Sequence, residues 1–408
     1  MFVLVVNCGS SSIKFQLWDA GTQVVASRGI VARIGEDGSY VEVHAANGTT
    51  ARHELPIASH AEGFEAMLNG LLDRDSGGPL PAIAEVSAVG HRAVHGGDSF
   101  VESVLVTDEV IAKLEEYVPL APLHNPASLM GIREARRLLP GVPQVAVFDT
   151  AFHQTMPPRA FTYALPGRYR SDHHVRRYGF HGTSYRYVCG RTAAILARPL
   201  ADLRVIACHL GNGCSMVAVD RGRAIDTTMG LTPTEGLVMG TRSGDLDPGA
   251  VLFLLRLALS ATDVEHLLNH ESGLLGISGV SNDMRVITQR AAEGDERCEL
   301  ALDIFTYRAK KYVGAYAAAM GGVDALVFTG GIGENSPVVR RLTCRGLAFL
   351  GIEVDDRAND AALGVEADVS VPGSPVRVLV IPTDEERVIA LDTIALAAGA
   401  STASGLRR

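Results

Sequence analysis

The stretch LVVNCGSSSIKFQLWD at residues 4–19 returns in outline as VIACHLGNGCSMVAVDRG at residues 205–222. Each copy is an apolar run, a turn of Gly, Ser and Asn, and a second apolar run that ends in Asp. Short apolar runs bounded by turn formers read as strands, so the pattern is strand–turn–strand, twice. The copies lie about half of the 408-residue chain apart. A duplicated fold, with a phosphate-sized turn in each half and a ligand between the halves, meets this pattern. So does the plainer fact that any tight hairpin needs Gly and Asn in its turn. The length allows two or three domains at roughly 100–200 residues each, and two is the expectation.

Along the chain, strand and helix signals alternate, which gives an α/β class. Residues 2–6, 13–18 and 23–27 read as a meander opening a mixed sheet. Residues 60–73 place Phe64, Met67, Leu68, Leu71 and Leu72 at helical spacing. Asn125-Pro126 reads as an N-cap with Pro at the first helical position, opening a helix through Leu139. Asp247-Pro248 repeats that signature before a run so apolar that its helix is expected to be buried. Residues 296–320 read as one long helix ending at Gly321-Gly322. Residues 325–329 and 376–381 read as buried strands. A final helix is expected over 385–398, and the polar tail 401–408 is expected to be loose.

Composition excludes several classes. With 47% hydrophobic and 20% charged residues, the chain is not mostly disordered. A net charge of −9 makes it a poor general binder of nucleic acid or anionic membrane. No apolar run reaches the roughly 18 residues of a membrane span, and the best candidate, residues 250–259, is broken by Arg256. The N-terminus lacks the basic start of a secretory signal, so a cytoplasmic location is expected. The six Cys form no C-x-x-C and read as reduced, structural thiols.

Several segments carry chemistry. The turn around Asn7, Gly9, Ser10, Ser11, Ser12 and Lys14 lets backbone N–H groups approach an anion, with hydroxyl donors and a cation beside them. It has no Walker A spacing, and the chain has no G-x-G-x-x-G. His209-Leu210-Gly211-Asn212-Gly213 repeats the small-residue logic after a strand. Gly330-Gly331-Ile332-Gly333-Glu334-Asn335 is either a backbone pressed against a flat ligand or a tight strand-to-helix turn. Arg92, His124, His181 and Arg242 each sit among turn formers, where binding groups gather. Four such loops in an acidic chain point to a buried anion site. His91 and His95 have the i, i+4 spacing of metal ligands, but strand signals precede them, so no zinc site is expected. Asp149 follows an apolar strand, the usual address of a Mg²⁺-binding or catalytic acid. Glu385 and Glu386 stand at a helix start, where negative charge is also favoured for structural reasons.

Together these segments resemble the acetate kinase family of the actin-like, sugar-kinase and heat-shock-chaperone superfamily, from Phe2 to about Ile394. The most specific stretches are residues 5–15 and Tyr178-Gly179-Phe180-His181-Gly182-Thr183-Ser184. The resemblance implies two duplicated actin-like (ribonuclease H-like) domains with mixed sheets flanked by helices and an active-site cleft between them. One domain would hold residues 1–149 plus about 385–408, and bind the acid and phosphate. The other would hold about 150–384, bind nucleotide and form a homodimer. The implied reaction is reversible phosphoryl transfer from ATP to acetate, dependent on Mg²⁺, for which Mn²⁺ can substitute. The resemblance assigns Mg²⁺ to Asn7 and Glu385, with Glu386 adjacent. It assigns nucleotide contacts to Ser10, Ser12, Lys14, His209, Leu210, Gly211, Asn212, Gly213, Asp283, Met284, Arg285, Gly331, Ile332, Gly333, Glu334 and Asn335. Asp149, His181, Arg242 and Arg92 would be catalytic, with Arg92 holding the substrate carboxylate. Val94, Leu123, His124, Phe180 and Pro233 would form the acid pocket, and Val94 in place of Ala favours acetate over propionate. A carboxylate acceptor is already ionised at pH 7, so Asp149 is expected to orient Mg²⁺ or its water rather than to remove a proton. Propionate kinase is the alternative. A conformational ATPase of the same fold, or a sugar kinase using Asp149 as base, is a further one.

Overall fold

The computed structural model describes residues 1–74, 78–122 and 124–405. The chain forms two units, Met1–Ala151 with Asp384–Arg408, and Phe152–Thr383.

The first unit is built on an eight-stranded sheet. Its strands are β1 (Phe2–Cys8), β2 (Ser12–Asp19), β3 (Val24–Ala32), β4 (Tyr40–Ala45), β5 (Thr50–Glu54), β6 (Val86–Ala93), β7 (Val104–Leu105) and β8 (Gln144–Phe148). The order is β5-β4-β3-β2-β1-β6-β8-β7. β1 to β5 form an antiparallel meander, while β1, β6 and β8 run parallel. β1 is apolar on both faces because helices cover both. Leu4, Ile13, Phe15 and Leu17 pack with Phe64, Met67 and Leu71 of the helix His60–Leu72. Val3, Val5, Trp18 and Val147 pack with Ile389 and Ala390 of the terminal helix Glu385–Gly405. That helix lies so close to β6 that a Cβ on Gly90 would overlap Thr393 Oγ1 and stand 2.8 Å from Ile389 Cγ2.

The second unit repeats the plan with β9 (Arg204–Leu210), β10 (Cys214–Asp220), β11 (Arg223–Thr227), β12 (Ala325–Thr329), β13 (Ala367–Asp368) and β14 (Arg377–Val380). Its order is β11-β10-β9-β12-β14-β13. The third, second and first strands are antiparallel, and the next two add in parallel, as in the first unit. The two similar stretches of sequence are β1–β2 and β9–β10, so they mark a real duplication of topology. Tyr185, Val188 and Cys189 of the helix Gly182–Ile195 cover Val205, Ala207, Val217 and Val219. The helix Glu296–Met320 contacts β9 and β10. It is capped by Asp295, which accepts from Arg297 N and Cys298 N, and it ends at Gly321 with φ +69°.

Four expectations change. β3 runs to Ala32 rather than residue 27. Asn125 is not the N-cap; His124 is. The Asn125 side chain instead brackets the His95 backbone, accepting from His95 N at 3.2 Å and donating to His95 O at 3.0 Å. The apolar helix Pro248–Arg256 is not buried: Leu252, Phe253 and Leu255 are exposed, with none of the described residues covering them. The terminal helix continues to Gly405, through the first residues of the tail that was expected to be loose. All six thiols are free and buried. Burial pushes Cys189, Cys214 and Cys344 up to about 12, which keeps them protonated and unreactive. No helix among the described residues is long and apolar enough to cross a membrane.

Candidate active site

In the first unit the polar groups gather where the parallel strands end, the usual ligand edge of such sheets. Arg92 is on β6 and Asp149 follows β8, with Asp149 N donating to Ala93 O at 3.1 Å. Arg92 Nε donates to Asp149 Oδ1 at 3.1 Å and Nη2 to Oδ2 at 2.6 Å, a two-pronged pair. Asp149 is only 1% exposed. Glu385, at the start of the terminal helix, places Oε2 3.7 Å from Arg92 Nε. Burial pushes the Glu385 carboxyl up to about 7; Arg92 opposes this, while Asp149 and Glu386 add to it. Burial works against the Arg92 charge, but Asp149 and Glu385 outweigh it and hold the cation firmly protonated.

The neighbouring His91 hydrogen-bonds Gln144 Oε1 through Nε2 at 2.6 Å. Burial pushes it down to about 4, so it is a neutral structural imidazole on a strand. Asn7 sits opposite Lys14 across the β1–β2 hairpin. In their turn Gly9 N donates to Ser12 O at 2.8 Å, and His60 Nε2 meets Gly9 O at 2.8 Å. Ser10 is exposed and Ser12 half-buried. Asn7 and Lys14 line a cavity of about 300 Å³ with Gln16, Arg28 and Glu386. The adjacent acids therefore differ: Glu386 shares the cavity with Asn7, while Glu385 turns to Arg92 and Asp149. Val94 is half-buried just beyond β6, and Leu123 lies outside the described residues.

A divalent cation suits this set. Asp149, Glu385 and Glu386 place three carboxylates around Arg92, an excess of negative charge that adds to the burial which chiefly raises the Glu385 carboxyl. No group of three or more His, Cys, Asp or Glu side chains forms a cage among the described residues. Mg²⁺ needs none, since it keeps waters and takes substrate phosphates as ligands.

Within the second unit, imidazoles and a guanidinium form a cluster of their own. His181 adopts φ +58° immediately before the helix Gly182–Ile195. Its Nδ1 hydrogen-bonds Ser215 Oγ at 2.8 Å, and Tyr185 Oη meets the same hydroxyl. The His181 ring stacks on His209 at 4.1 Å between centroids. His209 Nδ1 is 2.8 Å from Ser184 Oγ, which also accepts from Thr383 Oγ1 at 2.8 Å. A Cβ on Gly213 would lie 3.4 Å from Arg242 Nη1 and 3.9 Å from His181 Nε2, so the turn 211–213 faces both groups. Arg242 Nη1 donates to Pro233 O at 3.3 Å. No carboxylate pairs with Arg242 among the described residues, and burial lowers its pKa. Asn212 O accepts from Gly240 N at 2.9 Å, which ties the two turns together. Phe180 is buried, and its carbonyl meets His153 Nε2 at 2.8 Å.

The remaining sequence candidates divide. Asp283 caps the helix Met284–Ala292 and pairs with Arg285 at 2.6 Å; Met284 is buried, whereas Arg285 is 91% exposed. Gly330–Asn335 is a short helix. Gly330 is needed for the fold itself, because a Cβ there would meet Leu210 O at 2.8 Å. Gly331 faces open space. Glu334 receives Gly330 N at 2.7 Å and Thr383 N at 3.1 Å, and Asn335 Nδ2 donates to Gly331 O at 3.0 Å. Sequence reading missed Ser215, Tyr185, Thr383 and Gln144, whose roles appear only as partners of the motif side chains. It also missed Arg340, a fully buried cation that donates to Gly333 O and Glu334 O at 2.9 and 3.0 Å and so holds the short helix.

Comparison with known proteins finds relatives that span nearly the whole chain. An acetate kinase of Heliobacterium modesticaldum is 50% identical over 400 residues, covering 98% of this chain and 100% of its own. The solved acetate kinase of Porphyromonas gingivalis is 49% identical with a TM-score of 0.92, covering 97% of this chain and 99% of its own. The solved propionate kinase of Francisella tularensis is 42% identical with a TM-score of 0.90 at the same coverage. Residues 2–391 match the model of the acetokinase family, and the chain belongs to that family.

Proposed function

We propose that the chain transfers the γ-phosphoryl group of ATP to the carboxylate of acetate, giving acetyl phosphate and ADP, reversibly and by direct in-line transfer. The observation that carries this reading is Arg242: a largely buried guanidinium with no carboxylate partner among the described residues, beside the stacked His181 and His209. A buried cation left without an anion is poised to receive one. His181 and Arg242 would stabilise the transferring phosphoryl group, and Arg92 would hold the acid.

The acceptor needs no base, because a carboxylate is ionised at neutral pH. Asp149 would accordingly orient Mg²⁺ or its water rather than remove a proton, and its two hydrogen bonds to Arg92 support a second part in holding that fork in one orientation. The main barrier is the approach of two anions, which positioned cations offset in a loose transition state. Mg²⁺, held by Asn7 and Glu385 with Glu386 close by and by nucleotide phosphates, would supply charge neutralisation. Ser10, Ser12, Lys14, the turn 209–213, residues 283–285 and the turn 331–335 would bind the nucleotide.

Val94, Phe180 and Pro233 would bound the methyl side of the acid, with His124 near the phosphoryl path. We also assign the protein to the cytoplasm, consistent with six reduced thiols, and assign the second unit to dimerisation.

The test is acyl-phosphate formation from Mg-ATP, trapped with hydroxylamine, with acetate, propionate, butyrate and no acid in parallel. Acetate-dependent product with weaker propionate activity is expected. Equal or greater product from propionate favours the propionate kinase alternative. ATP hydrolysis without product for any acid overturns the acceptor assignment.

A further inference from the structure

Arg242 projects from an excursion of the chain, residues 236–245, whose ends are tied to each other. Asp245 N donates to Gly236 O at 2.9 Å, and Gly236 N donates to Asp245 Oδ1 at 2.9 Å. The neck is tight: Gly236 and Gly244 have φ of +105° and +69°, and a Cβ on Gly244 would overlap the Leu237 carbonyl. The second carboxylate oxygen of Asp245 accepts from the Tyr312 hydroxyl at 2.6 Å. Tyr312 belongs to the helix Glu296–Met320, the longest element of the unit. Burial, and then the bond to Asp245, raise the Tyr312 phenol above its ordinary value, so the hydroxyl stays a donor.

A second clamp holds the preceding segment. Glu235 takes both the Arg177 guanidinium and the Tyr163 hydroxyl. Arg177 Nη1 also donates to Thr227 O and Thr228 O at 2.6 and 2.8 Å, and Tyr163 Oη accepts from Leu231 N at 2.9 Å. Between the clamps stands Pro233, whose carbonyl receives Arg242. No carboxylate among the described residues aims Arg242, so its direction is set by the backbone that carries it, by the Pro233 carbonyl and by a weak contact of Nη1 with Met239 Sδ at 3.9 Å.

We propose that Asp245 and Tyr312 are positioning residues for phosphoryl transfer, pinning the neck of the 236–245 loop so that Arg242 meets the transferring group. The inference rests on the reading of Arg242 as the cation that stabilises that group. Neither residue need touch substrate. A misplacement of about 1 Å in such a group costs on the order of 10²-fold in rate, so losing one anchor is enough to register.

The experiment is a double-mutant cycle on the full chain, read by steady-state kinetics and by calorimetric ADP binding. Tyr312→Phe is expected to lower kcat about tenfold, with ADP affinity and the KM for ATP within twofold. In an Arg242→Lys background the same substitution is expected to change kcat less than twofold, since the group it positions is already altered. Asp245→Asn, which keeps the shape but reverses one hydrogen bond, should follow Tyr312→Phe; if it fails to fold, Tyr312→Phe still decides. An unchanged kcat, an equal tenfold loss in both backgrounds, or a parallel fall in ADP affinity overturns the proposal. If Arg242→Lys alone leaves kcat within twofold, the reading of Arg242 fails first, and this inference falls with it.

Discussion

At the scale of single residues, the site draws on two kinds of side chain. One kind is legible because its chemistry is in its type: His181 and Arg242 sit among turn formers, Asp149 follows an apolar strand, and Arg92, read as a loop residue, stands near the end of β6. The other kind is visible only through strand register. Ser215 holds His181 because β10 runs antiparallel to β9 and brings Ser215 opposite His209. No spacing in the chain encodes that pairing. The structure adds a partner that no local signal shows, since both oxygens of Asp149 accept from Arg92. Arg242→Ala should lower kcat by about 10²–10³-fold, the usual cost of losing a preorganised charge, with a smaller change in the KM for ATP. A loss confined to KM would argue for simple binding instead. Val94→Ala should raise kcat/KM for propionate relative to acetate by about tenfold, since one methylene is worth roughly 1–3 kcal/mol in such a pocket. An unchanged ratio would remove Val94 from the pocket.

His91 makes a separate, structural prediction. Its folded value of about 4 lies below the ordinary 6.5, because burial favours the neutral ring. Above pH 6.5 both folded and unfolded states hold it neutral, and it has no pH effect. Between 6.5 and about 4 the unfolded state binds the proton first, so stability falls as pH falls. By pH 4.5 the loss should be about 2–3 kcal/mol. His91→Leu should therefore lose less stability than the parent between pH 7 and pH 4.5, measured by urea unfolding. Parallel losses in the two proteins would refute the assignment.

At the scale of elements, legibility followed local signals. The helix Glu296–Met320 was readable to its last residue because Asp295 caps it and Gly321 closes it. The entry to the helix at Asn125 was misread because Asn125 serves the distant His95 backbone, a tertiary demand no local rule contains. The terminal helix was recognised, but its place against β6 was not derivable from periodicity; Gly90 is the residue that permits it. Gly90→Ala should force Thr393 and Ile389 aside and cost about 1–3 kcal/mol, read as a lower urea midpoint. Adding Thr393→Ala should recover part of that loss. Full stability of Gly90→Ala alone would show that the close approach is not required.

At the scale of the whole molecule, duplication was legible because a hairpin of unusual composition appears twice, and the structure gives both copies the same strand order. Burial of the apolar helix was inferred from the same kind of evidence and was wrong within one chain. Periodicity reports that a surface seeks cover, not which molecule supplies it. Leu252, Phe253 and Leu255 of the helix Pro248–Arg256 are exposed, and so are Leu246 and Leu257 at its ends. An apolar cluster of this kind marks an interaction surface, and a second copy of the chain is the occupant we assign to it. A chain with net charge −9 repels its own kind at long range, so the contact must be made by apolar burial. Phe253→Asp should then shift the protein from twice the mass of one chain to one chain in sedimentation. Wild-type protein that sediments as a single chain at micromolar concentration would reject the dimer. A dimer untouched by Phe253→Asp would move the interface to another face.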